Sequence, residues 1–223
     1  MIETLFTNRI GGVSQPPYGG NNLALHVGDD AGSVGENRTR LEMLVGSSQY
    51  MNQQHGNTVA VVEGISRHEP NADALVTAEF GIALGVLVAD CVPLLLWDEV
   101  EHVVAAVHVG RKGLLNGLTK RVVSVMTSMG AETIQALMGP SICGRCYEVG
   151  REIHDEVVSA YPSAHSLTSV GTWALDLSGA LADELIACGI KISRSPTCTV
   201  ENSQFFSYRR EGVTGRQAGF IWQ

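Results

Sequence analysis

Apolar residues along this chain fall into saturated runs and into stretches with helical spacing. Two runs are too apolar for strands with one wet face. The first spans Gly81 to Val88 and leads into Ala89-Asp90-Cys91-Val92-Pro93; the second spans Val103 to Gly110 and holds His108. Such runs predict strands covered on both faces. Shorter strands are predicted over Thr4–Asn8, Thr58–Val62, Ile190–Arg194 and Gly215–Trp222. Val34, Arg38, Leu41 and Val45 recur at helical spacing, behind a Ser33/Glu36 capping box and ahead of Gly46. Leu114, Leu118, Val122, Val125 and Met129 predict a second helix, ending at Gly130. Val149, Ile153 and Val157 predict a third, stopped before Pro162. Asp176 caps a fourth that carries Leu177, Leu181 and Leu185. Gly11 to Asn22 reads as a long loop. Strands and helices mix along the whole length. The expectation is an α+β or layered α/β fold: a single domain over residues 1–223, with buried mixed β-sheets flanked by helices.

Composition narrows the partners. The chain is 44% hydrophobic and 17% charged, a balance that supports a sizeable core. Its formal net charge of -8 argues against nucleic acid or an anionic membrane as partner, since both need a positive field. The richest apolar stretch, Ile82 to Trp97, is interrupted by Asp90, Cys91 and Pro93 and is too short to span a bilayer. No basic segment or cleavage site follows Met1, which predicts a cytoplasmic protein. Five cysteines are an odd number for a disulfide framework and fit reduced thiols.

The candidate chemistry sits at the ends of the two apolar runs. If those strands are neighbours, Cys91 and His108 meet at one sheet end, where a rigid scaffold can hold a metal ligand set or a nucleophile–base pair. Taken singly, Cys91 reads as a buried inert thiol and His108 as a core histidine. His55, in the polar turn Gln53-Gln54-His55-Gly56-Asn57, reads singly as an exposed loop residue. Their separations match no short zinc pattern. Cys143-Gly144-Arg145-Cys146 has Cys-x-x-Cys spacing, but zinc would need a second pair, and free thiols are expected. Arg209 and Arg210, beside Tyr208, suit an anion such as phosphate or, equally, a surface ion-pair cluster. Asp73 and Asp90 can orient a histidine, act as acid/base or cap a strand end. His26, His68, His102, His154 and His165 are expected to face solvent.

A series of motifs in one order resembles a known family. It runs through Thr7-Asn8-Arg9-Ile10-Gly11-Gly12-Val13-Ser14, Asn22-Leu23-Ala24-Leu25-His26-Val27-Gly28-Asp29 and Glu36-Asn37-Arg38. Gln54-His55-Gly56, Ala72-Asp73-Ala74-Leu75-Val76-Thr77, Ala89-Asp90-Cys91-Val92-Pro93 and Ala105-Ala106-Val107-His108 continue it. It ends with Gly139-Pro140-Ser141-Ile142, Cys146-Tyr147-Glu148-Val149-Gly150 and Phe206-Ser207-Tyr208-Arg209-Arg210. On these residues the chain is identified as a member of the YfiH/YlmD family, the laccase-domain or polyphenol-oxidase-like proteins related to FAMIN. The resemblance implies a fold similar to that of toxin deamidases and YfiH-like cysteine hydrolases. It also implies that His55, Cys91 and His108 form one site able to bind zinc, with copper possible.

The activities the family implies are phosphorolysis of adenosine, inosine and methylthioadenosine, and adenosine deamination. Purine nucleosides and phosphate would then be the partners, and a homodimer is possible. Asp90 is the expected proton relay, and Lys112, Arg209 and Arg210 the expected substrate contacts. One departure concerns the segment after His108. The family usually reads His-Ala-Gly-Trp-Arg-Gly, whereas here it is His108-Val109-Gly110-Arg111-Lys112-Gly113. Lys112 offers phosphate a point charge in place of a planar fork. Three other readings remain open. A copper polyphenol oxidase needs a separate histidine-rich centre, and this chain has seven histidines and no His-x-His pair. A cysteine amidase editing peptidoglycan precursors would use Cys91 and His108. A non-enzymatic binding domain leaves the clustered Cys and His unexplained.

Overall fold

The structure is a computed structural model and describes residues 1–223. In chain order the elements begin with β1 (Glu3–Phe6), α1 (Ala31–Val45), β2 (Ser48–Gln49), β3 (Val59–Val61), β4 (Ala74–Thr77) and β5 (Ala83–Val88). Then come β6 (Val92–Asp98), β7 (Val103–Val109), α2 (Arg111–Leu115), α3 (Leu118–Ser128), β8 (Gln135–Met138) and α4 (Arg151–Ala160). The chain closes with β9 (His165–Leu167), β10 (Trp173–Leu175), α5 (Leu177–Ala187), β11 (Lys191–Arg194), α6 (Tyr208–Glu211) and β12 (Gln217–Trp222). A six-stranded sheet has the order β11-β8-β6-β7-β4-β3, and a four-stranded sheet the order β1-β12-β5-β2. Both are mixed, as expected: in the large sheet β3 pairs parallel with β4 and β6 antiparallel with β7, and in the small one β5 pairs parallel with β2 and antiparallel with β12.

Side-chain alternation explains why the apolar runs carry no polar face. In β6 and β7, Leu94, Leu96, Val103, Ala105, Val107 and Val109 pack against Leu114, Leu118, Val122 and Met126 of α2 and α3, and against Leu181 and Leu185 of α5. The alternate residues Leu95, Val104 and Ala106 face the second sheet, meeting Leu84, Val86, Val88 and Ile221. The far side of that sheet presents Ala83, Leu87, Ala218 and Phe220 to Leu23, Leu41 and Val45. The result is four layers: helices, large sheet, small sheet, helix. Both sheets are covered on both faces, which is why period-2 polarity is missing from their sequences.

Four details differ from expectation. The two long apolar runs are not neighbours in one sheet; β5 belongs to the small sheet and β7 to the large one. The intervening strand β6 was not expected, because Pro93 reads as a breaker. Pro93 is only its second residue, and pairing with β8 begins one residue later, at Leu94↔Met138. A proline at a strand's start removes little of the ladder. Helix α1 is capped by Asp30, whose side chain accepts the Ser33 N–H at 2.7 Å, so Ser33 lies within the first turn. Gly46 ends it as expected, at φ 80°. The single helix expected from Leu114 to Met129 is two, broken at Gly117, which takes the left-handed conformation with φ 70°.

Candidate active site

The chain crosses from the small sheet to the large one through Ala89-Asp90-Cys91, between β5 and β6. Cys91 therefore sits on the crossover. β6 pairs antiparallel with β7, with Val92 opposite Val109 and Pro93 opposite His108, so the register brings Cys91 and His108 to the same sheet end. His55 arrives from the loop before β3. The ligand-capable atoms of His55, Cys91 and His108 lie within 4.8 Å of one another. The two imidazole rings meet edge-on, with centroids 4.7 Å apart.

Asp73, wholly buried just before β4, organises this convergence. Its Oδ1 accepts the backbone N–H of His55 at 2.9 Å and lies 2.9 Å from His108 Nδ1. Its Oδ2 accepts the N–H of Gly56 at 2.7 Å and of Gln54 at 3.2 Å. One carboxylate thus fixes the His55 loop, in which His55 itself has φ 55°, and turns His108 so that Nε2 faces the cluster. Gln53 ties the same loop to the small sheet. Its side chain accepts the Leu87 N–H at 2.9 Å and donates to the Leu87 carbonyl at 2.8 Å.

Charge follows from this geometry. Burial opposes charge on His108, but the neighbouring Cys91 and the Asp73 carboxylate outweigh it and push its pKa up to about 9. Burial would raise Asp73, yet hydrogen bonds from His108, Gly56 and His55 hold it below its ordinary value. His55 is lowered, first by burial and then by the charge of His108.

The donor set fits a metal. Two imidazoles and a thiolate on zinc lie ~3.4–3.6 Å apart at normal bond lengths, so small side-chain adjustments would close the cluster on an ion. The orienting carboxylate behind His108 is the usual support for a metal-binding histidine. Gly110 leaves the space open: a Cβ there would come within 3.1 Å of His55 Nδ1 and 3.2 Å of Cys91 Sγ.

Three cavities meet at Cys91. One, of about 230 Å³, is largely apolar and includes Ile142, Tyr147, Leu177 and Tyr208, with Arg209 at its side. A second, of about 280 Å³, holds His55, His108, Gln53, His26 and Arg216. The third is a groove beside Gln54, Arg111 and Lys112. Lys112 is exposed and makes no ion pair, so its charge is available. Arg209 lies along the apolar cavity, donates to the Glu148 carbonyl at 2.7 Å and stacks 5.3 Å from the Tyr147 ring.

Two expected site residues are engaged by the protein's own groups. The guanidinium of Arg210 is consumed inside the protein. It donates to the carbonyls of Thr199, Val200, Asn202 and Phe205 and pairs with Glu211, which leaves nothing for a substrate. Asp90, at φ 97°, accepts from the Thr199 hydroxyl at 2.6 Å and the Arg209 N–H at 2.7 Å. These bonds brace the loops around Cys91, and Asp90 also lines the apolar cavity there.

Sequence reasoning missed Arg216 and the place of His26 beside the site, and misplaced His154. Arg216 lines the His55 cavity; burial lowers its pKa, against the opposing influence of Cys91, Asp90 and Tyr208. The available signal was a lone base directly ahead of the last strand. His26 is solvent-exposed as expected but also lines that cavity. His154 is buried, its Nε2 2.9 Å from His165 Nδ1 and its ring against Trp173, because it lies on the inner side of α4.

Known proteins are similar to this chain along its whole length. The family model described as multi-copper polyphenol oxidoreductase laccase matches residues 3–223. The purine nucleoside phosphorylase ORF3 of Streptomyces griseus is 47% identical, over 97% of this chain and 92% of its own. The purine nucleoside phosphorylase YfiH of Escherichia coli K12 is 37% identical, over 99% and 93%. The crystal structure of YlmD from Geobacillus stearothermophilus superposes with a TM-score of 0.91 at 30% identity, covering 100% of this chain and 92% of that one. YfiH from Bacillus licheniformis gives 0.90 at 28% identity, with 99% and 92% covered. With its whole length matched in sequence and in fold, the chain belongs to the laccase-like YfiH/YlmD family.

Proposed function

We propose that this chain is a purine nucleoside phosphorylase whose working centre is the His55–Cys91–His108 cluster holding zinc. The observation that carries this reading is the meeting, at Cys91, of that cluster with an apolar slot and with four cationic side chains: Arg111, Lys112, Arg209 and Arg216. The printed names of the Streptomyces griseus and Escherichia coli relatives support it.

In phosphorolysis a phosphate oxygen bonds to C1′ of the ribose, the C1′–N bond breaks, and the electron pair leaves on the purine. The slot between Ile142, Leu177, Tyr147 and Tyr208 suits a flat base. Lys112 and Arg216 flank the cluster and suit an anionic co-substrate, held where negative charge collects. Zinc on the three side chains supplies Lewis acidity at the reacting centre. Asp73 holds His108 and the His55 loop in register throughout, and Gln53 keeps that loop against β5. Adenosine, inosine and methylthioadenosine are the proposed substrates, with adenosine deamination as a second activity. Copper suits the same donors. The separate histidine-rich centre of a multicopper oxidase has no counterpart, because the only other three-residue cluster is made of cysteines.

The test uses zinc-replete protein with adenosine and phosphate. Free adenine, ribose 1-phosphate and ammonia are each measured. Base release that needs phosphate and disappears in Cys91→Ala and His55→Ala is expected. No base release from any of the three nucleosides sinks the reading.

A second reading has its own observation. Asp73, His108 and Cys91 line up as orienter, base and thiol, the order used by cysteine hydrolases. On that reading activity survives chelation, is lost on alkylation of Cys91, and is directed at an amide.

A further inference from the structure

A second cluster of potential ligands lies outside the cleft. Cys143 and Cys146 follow β8, on either side of a tight turn in which Cys146 and Tyr147 both donate backbone N–H to the Cys143 carbonyl, at 3.0 and 3.1 Å. The third thiol, Cys198, follows β11, which pairs parallel with β8. That pairing continues past the strands as an isolated bridge, Ser141↔Cys198, so both loops leave the same sheet end side by side. The three sulfurs lie within 4.8 Å of one another. Three thiolates on one zinc lie ~3.8 Å apart at normal bond lengths. Cys198 is buried and its sulfur accepts the Cys143 N–H at 3.4 Å, so its position is fixed.

A fourth donor is present. Glu201 Oε1 lies 3.7 Å from Cys146 Sγ. Oxygen and sulfur on one zinc are ~3.5 Å apart, so Glu201 stands at ligand spacing from Cys146 but outside the close group of three sulfurs, and a rotation of this exposed side chain would bring it onto an ion. Its other neighbour is Arg145 Nη2 at 3.7 Å, on the turn itself. Cys198 and Glu201, three residues apart on the neighbouring loop, are the candidates for the second pair that the Cys-x-x-Cys spacing lacks.

We infer that Cys143, Cys146, Cys198 and Glu201 form a structural zinc site, separate from the His55–Cys91–His108 cluster. Four protein donors close the coordination sphere, as structural sites do, and thiolate-rich sets select zinc over harder divalent ions. Each thiol gives up its proton to solvent as its sulfur binds the ion, so loading releases protons. The position explains what the ion is for. Ile142 and Tyr147, beside the first two cysteines, wall the apolar cavity at Cys91. Thr199, next to Cys198, braces Asp90. A zinc clamp between the two loops fixes that wall without touching a reactant.

The test measures zinc per chain in full-length protein purified under reducing conditions, by elemental mass spectrometry. The background carries His55→Ala and Cys91→Ala, which removes the first cluster. One zinc equivalent is expected to remain there and to vanish when Cys143→Ser and Cys146→Ser are added. Cobalt loaded into the same background should give thiolate-to-metal charge-transfer absorption that falls with each Cys→Ser change and shifts with Glu201→Gln. If the quadruple variant fails to fold, the cobalt spectrum of the single Cys198→Ser variant decides. Zinc-replete background protein that holds no stoichiometric metal overturns the inference. So does an intact-mass loss of two hydrogens, marking a Cys143–Cys146 disulfide, in protein isolated under thiol-protecting conditions. Loss of metal on removing His55 and Cys91, with none left, would place the ion at the first cluster alone.

Discussion

Replacing Asp73 by Asn isolates what the buried carboxylate does. Its two oxygens serve four donors: His55 N–H and His108 Nδ1 on one, Gly56 N–H and Gln54 N–H on the other. An asparagine oxygen can keep one of these pairs. Its amide nitrogen then faces the other pair, donor against donor. Two hydrogen bonds to a charged acceptor are lost in a site without water access, at about 1.5–3 kcal/mol each, so the expected cost is about 3–6 kcal/mol. That is a large share of a domain's stability, and urea unfolding would read it. The second effect is specific to the site. Losing the group that orients a metal-bound histidine typically weakens affinity 10–100-fold. The extra stability gained on adding excess zinc should therefore shrink by about 1.4–2.7 kcal/mol. Denaturation of wild type and Asp73→Asn, each with and without zinc, separates the two. A variant that loses stability yet keeps the full zinc increment would refute the claim that Asp73 positions the ligands.

Gly110→Ala should keep the fold, because Gly110 has φ -93°, but its Cβ would press on His55 Nδ1 and Cys91 Sγ; metal competition titration should show weaker binding, at a stability cost of about 1–3 kcal/mol. Lys112→Ala should raise the KM for phosphate several-fold with no change in Tm, since the side chain is exposed and unpaired; an unchanged KM would remove it from the site. Arg210→Ala should lower stability by about 2–4 kcal/mol while Arg210→Lys recovers only part of it, because four loop carbonyls lose their donors. Acid stability should depend on Asp98: burial would raise its pKa, but the N–H groups of Thr133, Glu101, Val100 and Glu132 outweigh that and lower it. Its folded value lies below the unfolded one, so its contribution is complete above the ordinary carboxylate range and is lost as pH falls through the folded value. Asp98→Asn should flatten the acid limb of a stability–pH curve, and an unaltered limb would show that other groups set it.

How far the sequence could be read depended on the range of each interaction. Local signals were legible: Asp176 caps α5 by accepting the Gly179 N–H, and β12 falls within Gly215–Trp222. The two apolar runs were correctly seen as doubly covered, yet periodicity cannot say which sheet a covered strand joins. That is why β5 and β7 looked like neighbours. The short strands β4 and β8 have four residues each and no alternation to find. His55, Cys91 and His108 reached the site through the family's motifs; spacing alone did not connect them. Arg210 stayed ambiguous because a guanidinium that binds carbonyls looks, in sequence, like one that binds phosphate. Cys198 is 52 residues beyond Cys146, and only the parallel pairing of β8 with β11 brings them together.

The crossover at Cys91 has a consequence for how the protein would fail. One ligand-capable residue lies on the bridge between the sheets and one on the large sheet; the third lies in a loop that Gln53 fastens to the small sheet. Whatever occupies that cluster binds tightly only while the two sheets are docked. Ligand affinity and sheet docking are then two handles on one equilibrium. A cavity cut between the sheets at the other end of β7 from His108, such as Val104→Ala, would surface first as a leaky site, before any loss of secondary structure.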